Sequence, residues 1–229
     1  MIISQFKDGY RYNSDTIMLY YFALSLKLKG EILEVGAGSG VLGLLLKREI
    51  PKLKVTLMDI QEDNIKLCKH NALANELDCD IIHGDFREYK SDKRFDTIIS
   101  NPPFYHDGVI KSENEHLNIS RYASNLSLKE LIKNSSSHLK SHGSLIFCYD
   151  AKQIMKIAKI LHEYKFSITK LKFIYPKVGK SAKVVLIEAK KSSKSLCDIE
   201  SPFYLSDEFG YTKEAQAMFK NTNLESRDF

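Results

Sequence analysis

Short apolar runs alternate with longer stretches of helical period along most of the chain. Glu31–Val35, Lys54–Met58, Asp80–His83 and Phe95–Ser100 are rich in β-branched and aliphatic residues and end at turn residues, so each predicts a short strand. Apolar positions at helical spacing predict helices over Val41–Glu49 and about Gln61–Asn75. An earlier helix is expected from about Asp15 to Lys27, with Ser14 as N-cap and Ile17, Leu19, Tyr20, Phe22, Ala23 and Leu26 on its apolar face. Later, helices are expected over about Leu126–Leu139, with Ser127 near its start, and about Lys152–Tyr164. The strands Ser144–Tyr149, about Ser167–Ile174 and Ala182–Ala189 complete the pattern, the last two as a hairpin. A short helix is expected over about Thr212–Phe219. This alternation predicts an α/β fold with a seven-stranded, mostly parallel sheet, an antiparallel terminal hairpin and helices on both faces.

The chemistry collects where these strands end. Glu31–Val35 runs into Gly36-Ala-Gly-Ser-Gly40 and then into a helix, the usual construction for a nucleotide-type ligand. Gly36, Gly38 and Gly40 remove side chains so that a ligand can approach the backbone. Gly38, Gly40 and Gly43 also match the dinucleotide pattern G-x-G-x-x-G. Glu34 tilts the choice, because a carboxylate there attracts a ligand ammonium group and repels a pyrophosphate. Asp59, at the end of the second strand, suits a pair of ribose hydroxyls, or simply a helix N-cap. Asp85 and the ring of Phe86 follow the third strand and suit an adenine, held by its amino group and its face. The fourth strand stops at Asn101-Pro102-Pro103, followed by Phe104 and Tyr105. Two prolines hold the preceding residue extended and end the ladder. A side-chain amide, a stiffened carbonyl and a flat ring together suit a planar amino group. The competing interpretation is a proline-rich turn after a core strand.

Composition narrows the setting. The chain has 229 residues, 43% hydrophobic and 28% charged, which fits a soluble globular protein. No apolar run approaches the ~20 residues of a membrane span. The opening residues lack a signal-peptide layout, so the cytoplasm is the expected location. Cys68, Cys79, Cys148 and Cys197 show no paired spacing and the seven histidines no ligand pattern, so neither disulfides nor a metal is expected. Net charge is +5, and eight lysines against the single acid Glu188 fall between Lys170 and Lys194, compatible with phosphate contact or with a solvated face. Gly179-Lys-Ser181 is not a P-loop, because Ile174 stands where that motif needs a glycine. The polar stretch His106–Ser120 is long enough to be mobile or functional. One domain is expected: an N-terminal cover and helix over 1–30, a core over 31–190 and a tail over 191–229.

The motifs together resemble the class I S-adenosylmethionine-dependent methyltransferases, which implies a Rossmann-like fold. Glu34-Val-Gly-Ala-Gly-Ser-Gly40, Asp59 and Gly84-Asp85-Phe86 look like its cofactor motifs, and Asn101-Pro-Pro-Phe104 like its motif for methylating a planar nitrogen. Within that class the chain most resembles the bacterial tRNA1(Val) (adenine-N6)-methyltransferase family, through Lys7–Asp15, Ser100–Val109, Ser120-Arg-Tyr122, Tyr175–Lys180 and Gly210-Tyr-Thr212. The resemblance implies S-adenosylmethionine as cofactor, with Tyr10, Arg11, Ile60 and Asn101 joining Glu34, the glycines, Asp59, Asp85 and Phe86 around it. Tyr10 and Arg11 would close over the cofactor. Asn101 and Pro102 would hold the target amine, and Phe104 or Tyr105 would stack on its base. Arg121, Lys177, Lys180 and Lys183 would hold RNA phosphates. The implied substrate is an anticodon-loop adenosine of tRNA and the implied protein a monomer. Related ribosomal RNA guanine-N2 methyltransferases share Asn-Pro-Pro-Phe and the following His-Asp-Gly, whereas release-factor glutamine methyltransferases carry Asn-Pro-Pro-Tyr. An NAD-dependent oxidoreductase would fit the first two strands and leave Asn101–Phe104 without a role. A non-catalytic RNA-binding adaptor would be expected to lack cofactor acids or Asn101. NAD binding would favour the first, and absence of any nucleotide-type ligand the second.

Overall fold

The structure is a computed structural model, and it describes residues 1–7, 11–102 and 126–229. Helix α1 spans Ser14–Leu24 after a short strand β1, Ile2–Gln5. Four parallel strands follow: β2 (Glu31–Val35), β3 (Lys54–Asp59), β4 (Asp80–His83) and β5 (Phe95–Ser100). Helix α2 (Val41–Glu49) links β2 to β3, and α3 (Glu62–Ala74) links β3 to β4. Helix α4 (Leu128–His138) leads into β6 (Leu139–Asp150), and a 3-10 turn and α5 (Ile154–Glu163) lead into β7 (Phe166–Lys177). Strand β8 (Val184–Lys191) returns antiparallel between β6 and β7.

The sheet order β4-β3-β2-β5-β6-β8-β7 makes the seven expected strands, all parallel except β8. Three more strands extend it beyond β7. These are β9 (Asp198–Ile199), β10 (Phe203–Asp207) and β11 (Gly210–Tyr211). The seven-strand expectation therefore falls short by the tail, whose strands are too short to carry a visible alternation. Phe203 anchors β10, fully buried and paired in register with Ile174 of β7. Helix α6 (Lys213–Thr222) and strand β12 (Glu225–Asp228) complete the chain, and β12 pairs in parallel with β1.

Successive strand residues face opposite ways, and both faces are covered. Ile32, Ile99, Ile146 and Leu186 join the core formed with α1 and α2. Their neighbours Leu33, Ile98, Leu145 and Ile187 join the core formed with α4 and α5. Double-sided burial explains why these strands read as near-continuous apolar runs.

Several boundaries differ from expectation for local reasons. Asn13, not Ser14, caps α1: its side chain accepts from the amides of Asp15 and Thr16, and the helix ends at Leu24 before Lys27 turns left-handed. Strand β6 starts five residues before the expected Ser144 and carries His142, with positive φ, and Gly143 as an irregularity within it, with the register against β5 shifting between Phe95 and Thr97. Strand β1 lies against α3, where Asn71 and Asn75 act as a surrogate strand edge. Asn71 accepts from the Ser4 amide at 2.8 Å and donates to the Ser4 carbonyl at 3.0 Å, and Asn75 treats Ile2 in the same way.

Candidate active site

All strand ends that carry chemistry lie on one edge of the sheet, where open α/β folds bind ligands. The glycine loop after β2 is hooked to β3, because the amides of Gly36 and Ala37 both donate to the Met58 carbonyl. Gly36 and Gly38 have positive φ, and a Cβ added to either would meet nothing within 4 Å. The loop therefore needs glycine for its backbone shape and presents bare backbone to the cleft.

Glu34 lies beneath this loop, 4% exposed, with Oε2 accepting from the Gly43 amide in the first turn of α2 at 2.8 Å. Burial pushes its carboxyl up to about 8; the Gly43 bond opposes the shift and the charge of Asp59 adds to it. Asp59 ties the site together. One oxygen accepts from the Gly38 amide, and the other from the Gln61 amide and the Asn64 side chain. It thus steadies the glycine loop and the start of α3 while lining the cleft.

Asp85 also faces the cleft, and the Arg87 guanidinium that grips it holds its carboxyl below the usual range. Phe86 is nearly buried, stacked on Tyr89 and tilted against His138, so its ring is fixed by the core behind it. Ile60 forms an exposed apolar rim.

Asn101 and Pro102 enter the same cleft from the end of β5. The Asn101 amide is held at both ends. Its nitrogen donates to Thr16 Oγ1 at 3.0 Å, and its oxygen accepts from the Cys148 thiol at 2.8 Å. The register accounts for the second contact: Ser100 of β5 pairs with Phe147 of β6, so the next residues, Asn101 and Cys148, are neighbours. Thr16 arrives from the first turn of α1, which packs against this part of the sheet.

The cleft thus gathers Glu34, Gly36, Gly38, Asp59, Ile60, Asp85, Phe86, Asn101 and Pro102. Gly40 caps α2 with a left-handed backbone instead of lining the cleft. Arg11, expected to close over the cofactor, turns to β12 and pairs with Asp228 at 2.7 Å and Ser226 at 2.8 Å. The neighbouring Tyr12 lines the cleft instead. Lys177 ends β7 and Lys180 lies in the turn to β8, both exposed at the same sheet edge. Lys183 lies close to Asp15, whose carboxyl is raised by burial and lowered in part by that lysine. The expectations for Tyr10, Phe104, Tyr105, Arg121 and the His106–Ser120 stretch fall outside the described residues. Tyr12 lies within the Lys7–Asp15 string that carries the resemblance, though without a role of its own there. Thr16 and Cys148 were missed from sequence; Thr16 directly follows that string, but nothing local marks Cys148.

Among the described residues no helix is long and apolar enough to cross a membrane, and no three potential ligands gather to hold a metal. Bare glycine backbone, acids at three strand ends and an apolar flank fit a ligand with an ammonium group, a ribose and an aromatic base. Fold and site define a Rossmann-like methyltransferase. The chain belongs to the methyltransferase small domain family, whose pattern matches residues 15–173. S-adenosylmethionine is its cofactor.

A bifunctional methyltransferase of Rickettsia prowazekii (strain Madrid E) is 30% identical over 213 residues, covering 82% of this chain and 40% of that protein. A ribosomal RNA small subunit methyltransferase C of Salmonella arizonae is 33% identical over 158 residues, covering 69% of this chain and 40% of that protein. The chain thus spans less than half the length of these relatives. Among solved structures, the T. thermophilus 16S rRNA N2 G1207 methyltransferase, in complex with AdoMet and guanosine, superposes with a TM-score of 0.58 at 21% identity, covering 81% of this chain and 45% of that one. A "predicted O-methyltransferase" of Agrobacterium tumefaciens reaches 0.70 at 17% identity, covering 93% and 99%.

Proposed function

We propose that this protein methylates the exocyclic amino nitrogen of a purine in RNA, with adenine N6 in tRNA as the first reading. The observation that carries the amine target is Asn101-Pro102, projecting from β5 into the cleft that holds the glycine loop, with the Asn101 amide fixed by Thr16 and Cys148. The RNA and adenine assignments rest on the resemblance of the N-terminal, Asn-Pro-Pro-Phe and tail strings to the tRNA adenine-N6 family.

S-adenosylmethionine supplies a methyl carbon on a sulfonium, an electrophile that needs no further activation. Glu34, the glycine backbone, Asp59 and Asp85 would hold it. An exocyclic purine amine is a weak nucleophile because its lone pair is delocalised into the ring. The Asn101 side-chain oxygen has a second lone pair beyond the one facing Cys148, and with the Pro102 carbonyl it accepts the two amine hydrogens. Those bonds draw the nitrogen out of conjugation and aim its lone pair. The contribution is positioning and electrostatics, and no strong base is required because the proton becomes acidic only after transfer. The target base leaves its stack to reach the cleft.

A second reading, guanine N2 in ribosomal RNA, is favoured by the names of the relatives, several of which are ribosomal RNA small subunit methyltransferases. Labelled S-adenosylmethionine incubated separately with unmodified tRNA, ribosomal RNA and release factor, followed by digestion, tests both. N6-methyladenosine from tRNA, reduced at least about 100-fold by Asn101→Ala, is the expected result. Label in guanosine from ribosomal RNA selects the second reading, and label in protein alone overturns both.

A further inference from the structure

The carboxyl edge of the sheet continues past the cleft, and its far end carries an unusual hairpin tip. Strands β10 and β11 pair Asp207 with Gly210, leaving Glu208 and Phe209 at the tip. Asp207 accepts from the Phe209 amide at 2.8 Å, and Gly210 has φ 127, so the turn is set by Asp207 and the glycine. Only the backbone of Phe209 enters that turn, and the residue is 90% exposed. Tips of this kind normally carry Asn, Gly or Asp, so a bare phenylalanine asks for a partner.

Its surroundings say which partner. Strand β10 runs parallel to β7 with Ser206 opposite Lys177, and the Val178 amide donates to the Ser206 carbonyl. The Phe209 tip therefore sits beside the β7–β8 turn, which exposes Val178, Lys177 and Lys180. Tyr211, also exposed, follows the tip and is braced edge-on by Phe219. Exposed aromatic rings beside lysines that pair with no acid among the described residues are the makings of a surface for unpaired bases: the rings stack on base faces while the lysines meet phosphates. Glu208 is the one exposed acid in the tip, against Lys177 and Lys180 beside it. From β5 to β10 the sheet takes four steps, through β6, β8 and β7, about 19 Å at normal strand spacing. That distance corresponds to several nucleotides.

We propose that Phe209, supported by Val178 and Tyr211, is a stacking platform for an unpaired RNA base several nucleotides from the one methylated. The strand would run along the carboxyl edge from Asn101 across the lysine-bearing turn. This inference rests on the RNA reading above, and it adds a requirement: the substrate must be single-stranded between the target and the platform.

The test uses the full chain and a single-stranded oligoribonucleotide with 2-aminopurine placed at successive distances from a central adenosine. Wild-type protein should change the fluorescence at one position several nucleotides away. Phe209→Ala should remove that change and weaken binding about tenfold, whereas Phe209→Trp should keep it. With an RNA that the wild type methylates, Phe209→Ala should raise KM far more than it lowers kcat. An unchanged fluorescence response and KM in Phe209→Ala, with wild-type RNA methylation intact, would overturn the platform and leave the function standing. Methyl transfer to protein and none to RNA would remove both. Concentration-dependent self-association abolished by Phe209→Ala would assign the ring to a contact between copies and overturn the platform. Unchanged melting temperatures serve as the folding control.

Discussion

Glu34 carries the clearest titration in the molecule. Its folded carboxyl sits near 8, against an ordinary value of 4.5. Below about pH 4.5 it is protonated in both folded and unfolded chains. As pH rises towards about 8 the unfolded chain ionises while the folded one keeps its proton, so this group's contribution to stability falls across that window and then levels. Glu34→Gln can keep the acceptor for Gly43 and loses the titration. Its melting temperature in cofactor-free protein should therefore gain on the wild type progressively between about pH 5 and pH 8. Parallel melting profiles would mean that another group sets the slope. Cofactor binding should instead tighten in the wild type as pH rises towards about 8 and the carboxylate forms, and level off above it, which calorimetry would read. Cys148 tests the amide clamp. Cys148→Ala should leave cofactor affinity unchanged and lower kcat about tenfold, the usual cost of one lost hydrogen bond, and Cys148→Ser should restore most of it. Equal kcat in all three proteins would show that the thiol does not hold Asn101. Asn101 was legible in the sequence because two prolines cannot sit inside a strand. Cys148 was not, because its importance lies in the register of β6 against β5, which no local pattern encodes.

At the scale of elements, α2 and β2 meet more closely than side chains normally allow. A Cβ at Gly43 would lie 2.4 Å from Leu57 and 2.7 Å from the Glu34 carboxyl. Gly43→Ala should destabilise by about 1–3 kcal/mol through overpacking, despite the better helix propensity of alanine, and should weaken cofactor binding by displacing Glu34. A denaturant midpoint equal to the wild type would contradict that packing. Gly43 thus serves helix–strand packing, which the third glycine does in either form of the pattern, whereas Gly36 and Gly38 serve the cleft. Strands β2 to β5 were readable because each is a compact apolar run closed by turn residues. Strands β9 to β11 were not, since two to five residues carry too little pattern and their pairing with β7 and one another is set by tertiary contact. Asn71 was equally silent. A polar residue on α3 reads as solvent-facing until β1 and the Ser39 carbonyl are seen bonded to it.

Across the whole molecule, one sheet edge unites the glycine-loop cleft, Asn101 and the Lys177–Lys180 segment; the strand–helix alternation places the first two there, and the third joins them only through the observed sheet order. What did not follow was the union of the two ends of the chain, β1 with β12, fastened by Arg11 to Asp228 and Ser226. That union has a consequence during synthesis. Strand β1 leaves the ribosome before the central sheet, yet its partner strand, residues 225–228, emerges only after that sheet has been made. Contacts so distant along the chain close slowly unless the intervening structure has already brought them together. A nascent chain can therefore assemble the glycine loop and Asn101 while the segment carrying Arg11 and Tyr12 is still unfastened. Synthesis of residues 225–228, rather than collapse of the core, would set the moment at which that segment is secured beside the cleft.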